Sequence, residues 1–117
     1  MREIVFYRME SGRCPVKEFL DSLSGKQAQK IAWVMQLVEE LQIVPTRYFK
    51  KLTATNGIWE IRVSVATDIF RFLGFFDGSN VIVLNHAFQK KSQKIPSQEI
   101  STAETRRKEY FNRKLKR

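Results

Sequence analysis

The hydrophobic period changes once along this chain, and that change fixes its fold class. Up to Pro45 apolar residues recur every three or four positions, whereas past the Asn56-Gly57 pair they recur every second one. From Lys26 to Ile43, Ala28, Ile31, Val34, Met35, Val38 and Leu41 form one helical stripe, with Ser24 placed to cap it. Pro15 opens a shorter apolar run containing Phe19, Leu20 and Leu23. A helix over 15–23 and a second over 26–43 therefore form a helical hairpin, which Pro45 terminates.

The remainder reads as sheet. Trp59, Ile61, Val63 and Val65 alternate with Glu60, Arg62 and Ser64, so the two sets face opposite ways. A short connection at Ala66–Asp68 leads to an aromatic strand, Ile69–Phe76, closed by the hairpin signal Asp77-Gly78. Val81–Phe88 is almost wholly apolar, as a central strand covered on both faces would be. Short strands are expected at 3–8 and 49–52. After a basic loop at Lys90–Pro96, Ser97 or Ser101 caps a last helix to about Leu115, with Ile100, Ala103, Tyr110 and Phe111 as its apolar contacts. The expectation is one α+β domain over residues 1–117. It has an N-terminal strand, a helical hairpin on a mainly antiparallel sheet and a C-terminal helix. The helices are expected to cover one sheet face and leave the other partly open.

Charge narrows the partners. Lys and Arg number 21 against 12 Asp and Glu, a net of +9. From Gln89 onward there are ten basic and three acidic residues, so most of the excess lies in the last quarter. A polyanion is the natural partner, and Phe88, Tyr110 and Phe111 interleave with the charge as in nucleic-acid-binding surfaces. A solvated basic tail is the alternative. One cysteine, Cys14, excludes an intrachain disulfide framework, and one histidine makes a Cys/His zinc site a poor fit. The start, MREIVFYRMESG, lacks the roughly 7–15-residue apolar core of a signal peptide. No stretch approaches the roughly 18 apolar residues of a membrane span. A cytoplasmic protein without membrane contact is expected.

Three strands bring a set of polar groups together. Glu60 and Arg62 face away from Ile61; Arg71 shares a face with Ile69, Leu73 and Phe75; strict alternation puts His86 with Ile82, Leu84 and Phe88. Arg62, Arg71 and His86 thus converge on the open face, with Lys90 and Lys91 close behind. Such groups suit phosphodiester chemistry: guanidiniums match phosphate oxygens, and an imidazole gives or takes a proton near neutral pH. A structural histidine, an Arg62 paired on a solvated sheet face and an Arg71 stacked structurally between Phe70 and Phe72 remain open as readings of the same residues. No nucleophilic Ser or Cys motif, Gly-rich phosphate loop or usefully spaced carboxylate pair is present.

The segments IWEIRV and DIFRFLGFFDGSNVIVLNHAFQKKSQKIP resemble the HigB-like, phage-derived branch of the RelE/ParE toxin superfamily. Glu60-Ile61-Arg62, Phe70-Arg71 (with Phe where the family has Tyr), His86-Ala87-Phe88 and the Lys90–Pro96 loop carry the likeness, and Pro15–Leu23 adds to it. The resemblance implies the toxin of a type II toxin–antitoxin pair, an mRNA interferase that cuts message in the ribosomal A site. It implies no cofactor or metal, and an antitoxin of helix-turn-helix type through which alone operator DNA is contacted. By position it makes Arg62, Arg71, His86, Lys90 and Lys91 the catalytic candidates. Phe88, Lys94, Arg106, Arg107 and Lys108 are the RNA-binding candidates, with Phe88 stacking on a base. A ParE-like gyrase poison without nuclease activity and a non-enzymatic basic RNA- or protein-binding module are the alternatives.

Overall fold

The computed structural model describes residues 1–89 and 94–116. In chain order the elements are β1 (Glu3–Phe6), α1 (Pro15–Asp21), α2 (Gly25–Glu40), β2 (Phe49–Lys51), β3 (Trp59–Val65), β4 (Asp68–Asp77), β5 (Val81–Gln89) and α3 (Ser97–Leu115). The expected α+β architecture is what forms. The sheet has five strands in the order β1-β5-β4-β3-β2. Only the β1–β5 pair is parallel.

Local chemistry explains the helical hairpin. Pro15 opens α1, where a missing N–H costs nothing. Ser24 and Gln27 form a reciprocal capping box at the start of α2. At its other end the Arg2 guanidinium donates to the carbonyls of Val38, Leu41 and Gln42 at 3.1, 2.7 and 3.1 Å, satisfying acceptors the helix leaves unpaired. Glu39 closes the outer edge of β1 by accepting from the backbone N–H of Ile4.

The hairpin packs on an apolar sheet face. Val16, Ile31, Val34 and Val38 meet Ile61, Val63, Phe70, Phe72, Ile82 and Leu84, and Phe19 sets its ring edge-on to Phe70 and Phe72. The predicted grouping of Trp59, Ile61, Val63 and Val65 holds on this face.

The opposite face is not left open, and here the structure corrects the sequence reading. Helix α3 lies across it. Ile100 and Ala103 pack with Leu52, Ile58, Leu73 and Phe88; Tyr110 and Phe111 pack with Tyr7, Phe75 and Val83. These are the apolar contacts expected of α3, seated on the far side of the sheet from the hairpin. Its N-cap is Pro96, with no side-chain cap, rather than Ser97 or Ser101.

Two irregularities set which side chains reach that second face. The β3–β4 turn is Ala66-Thr67, because Val65 pairs with Asp68, and Ala66 adopts φ 53°. In the β4–β5 ladder Leu73 pairs with His86 but Gly74 with Leu84, which leaves Asn85 as an extra residue, a β-bulge. The bulge overturns strict alternation. Ile82 and Leu84 face the hairpin, while His86, paired with Leu73, turns with Phe88 towards α3. Gly74 makes this possible, since a Cβ there would collide with the carbonyl oxygen of Val83.

Candidate functional site

The α3-facing side of β3, β4 and β5 carries the predicted polar set. Arg62 pairs across the ladder with Arg71, and Arg71 with Phe88; Glu60 pairs with Leu73, and Leu73 with His86. Arg62, Arg71, His86 and Phe88 are therefore brought onto one face, as expected from the sequence.

Their environment differs from the expected open surface. Arg71 is 2% exposed and forms an ion pair with Glu60, itself 1% exposed. The two lie diagonally across β3 and β4, within reach of long side chains. Arg71 is thus not an outward-facing residue that the core could spare. Two guanidiniums opposite one another repel, and the Glu60 carboxylate offsets the charge of one of them. A depression of about 220 Å³ reaches the buried pair, bounded by Lys50, Leu52 and Thr53 on one side and Ile95 and Ile100 on the other.

His86 is held from α3. Its Nε2 lies 3.0 Å from Oε1 of Glu99, and its Nδ1 lies 3.5 Å from Nη1 of Arg106. The same Nη1 donates to the carbonyl of Asn85 at 2.8 Å. The wholly buried Asn85 amide donates to the carbonyl of Ala103 at 2.9 Å, tying the bulge to the helix. Phe88 stands beside the imidazole, ring centroids 5.4 Å apart, but it is only 8% exposed and packs in the core under α3. The expected stacking of Phe88 on a base therefore needs this face to be uncovered.

The remaining candidates are spread along the helix and the loop before it. Arg107 lies over the rings of Phe75 and Phe111, at 5.9 and 5.1 Å, and beside Gly57. Lys94 and Lys108 are exposed. Lys90 and Lys91 lie outside the described residues. Among the described residues no group of three or more His, Cys, Asp and Glu gathers where a metal ion could sit. No helix there is long and apolar enough to cross a membrane.

Three partners escaped the sequence reading: Glu60 as the counter-ion of Arg71, Glu99 as the partner of His86, and Asn85 as the bulge residue. Glu60 had a legible signal. With Ala66-Thr67 taken as a two-residue turn, the register places Glu60 diagonal to Arg71. Glu99 had none beyond its position in the first turn of a predicted helix.

Fold and site together define a small basic α+β protein that gathers arginines and an imidazole on a sheet face beneath its last helix. The chain belongs to the phage-derived Gp49-like proteins (DUF891), whose family model matches residues 18–108. That family falls within the RelE/ParE-like toxins. No curated protein matches the chain.

Proposed function

We propose that this protein is the toxin of a type II toxin–antitoxin pair of the HigB-like kind, a ribosome-dependent mRNA endoribonuclease. The observation that carries the reading is the convergence of Arg62, Arg71 and His86 on one sheet face, with Arg106 and Glu99 reaching the imidazole from α3. The chemistry is attack of a ribose 2′-OH, which gives up its proton, on the neighbouring phosphate; the P–O5′ bond breaks, the 5′-oxygen leaves with a proton as a hydroxyl, and a 2′,3′-cyclic phosphate remains. Arg62 holds a phosphate oxygen from the rim, and Arg71, whose charge Glu60 offsets, backs the site from beneath. His86 transfers a proton, and Lys90 or Lys91 adds charge or a second proton donor. Arg107, Lys108 and Lys94 contact RNA phosphates. An antitoxin, a helix-turn-helix protein that carries the pair to operator DNA, restrains the activity.

The test is addition of the purified protein to translating ribosomes, with message ends mapped by primer extension. Cleavage within the A-site codon is expected, and His86→Ala should lower its rate by about 10²–10⁴, the usual contribution of a positioned acid or base. Intact message together with trapped gyrase–DNA complexes would replace this reading by a gyrase poison. Intact message without such complexes would leave a binding module.

A further inference from the structure

We infer that Glu99 is a positioning residue for His86, fixing the tautomer in which Nε2 carries the proton and Nδ1 the lone pair; the consequence for cleavage rests on the nuclease reading above. A carboxylate only accepts hydrogen bonds and a guanidinium only donates them. Glu99 stands 3.0 Å from Nε2, and Arg106 stands on the Nδ1 side. A neutral imidazole between them satisfies both neighbours in one way: Nε2–H donates to Glu99, and the Nδ1 lone pair faces Arg106. The opposite tautomer would set a lone pair against a carboxylate and an N–H against a cation.

Each part of this clasp is built by the fold. Glu99 sits in the first turn of α3. Arg106 lies two turns further along and is anchored by its bond to the Asn85 carbonyl at 2.8 Å. The bulge at Asn85 turns His86 to this face, and Phe88 flanks the ring at an interplanar angle of 31°. The ring is therefore fixed in plane and in protonation pattern before any ligand arrives. Of the two contacts that of Arg106 is the longer, 3.5 against 3.0 Å, and Glu99 backs the ring from the Nε2 side. A carboxylate behind an imidazole also stabilises the cation formed when the ring accepts a proton.

His86 is the single histidine of the chain, so nitrogen-15 spectra of the full-length protein report this ring without assignment ambiguity. At a pH where the ring is neutral, the wild-type protein should show the Nε2–H tautomer, with an Hε2 proton protected from exchange with water. Glu99→Gln keeps an acceptor oxygen and should retain that protected proton. Glu99→Leu should lose it to exchange while melting as a folded protein. In the ribosome assay Glu99→Leu should lower kcat by about 10–100-fold, the range known for the carboxylates behind metal-bound imidazoles. KM should stay essentially unchanged, and Glu99→Gln should fall between. An Nδ1–H tautomer in the wild type, or a protected Hε2 that persists in Glu99→Leu, overturns the inference. So does an unchanged kcat in Glu99→Leu when the wild type cuts message. Should the wild type cut nothing, the nuclease reading falls, and the Hε2 signal alone decides whether Glu99 orients the ring.

Discussion

The two faces of the sheet are closed by different physics. Against the helical hairpin, Ile61, Val63, Phe70, Phe72, Ile82 and Leu84 bury hydrocarbon on hydrocarbon. Against α3, the neighbouring positions of the same strands carry Glu60, Arg71, Asn85 and His86 alongside Leu73 and Phe88. On the first face, any side chain of the right size contributes in proportion to the area it hides. On the second, stability depends on partners, because a buried charge or amide is costly unless its counterpart is in place. The first face anchors the fold. The second holds polar and charged groups in fixed geometry, and its cost is offset by the first.

The largest effect should come from breaking the pair that makes the second face different. Arg71→Met leaves the Glu60 carboxylate buried without its guanidinium, and removing one partner of such a pair costs about 3–5 kcal/mol. The double variant Glu60→Leu with Arg71→Met removes both charges and should recover most of that loss. Urea melts of the three proteins check this. A single variant as stable as the parent would mean that the two faces do not differ in the way described.

Next in size is the device that lets the strands serve both faces. Gly74→Ala places a methyl group against the Val83 carbonyl, which neither backbone can avoid without moving. The expected loss is about 1–3 kcal/mol, the range for overpacking a tight site. Because the bulge aims His86, the histidine resonances should shift more than those of Phe72 on the other face. Equal perturbation of both faces would show that Gly74 serves packing alone and not the aim of the site.

The same contrast governs how much the sequence revealed. The hairpin face was legible almost residue by residue, because burial imposes a period and periods survive in sequence. Ala28 to Leu41 announces a helix, and Trp59 to Val65 announces a strand side. The α3 face was legible in membership but not in environment. Arg62 and Arg71 fell on the expected side, yet nothing local says that Glu60 neutralises Arg71 or that a helix covers both. His86 reached that side for a reason alternation cannot supply. Counting by twos groups it with Ile82 and Leu84, and the bulge at Asn85 reverses that. The β3–β4 turn was hidden as well, since Ala66 takes a positive φ that usually marks glycine or asparagine. The start of α3 was misread for the opposite reason: serine caps are common, but Pro96 holds the position here.

The smallest effect concerns the far end of α3, where the second face is pinned by surface-proximal polar contacts. The Tyr7 hydroxyl donates to Glu109, and Arg113 bonds the same carboxylate and the carbonyl of Arg8; Tyr110 and Lys114 both bond Asp77. Burial, and then the hydrogen bond to Glu109, push the Tyr7 phenol up to about 12 from its ordinary 10.0. The folded protein thus holds this proton more tightly than the unfolded chain does. Its contribution is complete below about pH 10 and fades as pH rises from there through about 12. On the acid side the signs reverse. Hydrogen bonds, from Arg113 to Glu109 and from Lys114 and then Tyr110 to Asp77, hold both carboxyls below their ordinary values. Their contribution is present above the ordinary carboxyl range and is lost as pH falls through the lowered values. Tyr7→Phe removes one hydrogen bond to a carboxylate, at a cost of about 1 kcal/mol near neutrality. It should also flatten the alkaline decline of the melting temperature relative to the wild type, and change the acid limb less, since Arg113 rather than Tyr7 is the main cause of the lowered Glu109 carboxyl. If the variant loses stability between pH 10 and 12 as steeply as the parent, Tyr7 does not keep its proton in the fold, and other contacts hold this end of α3 to the sheet.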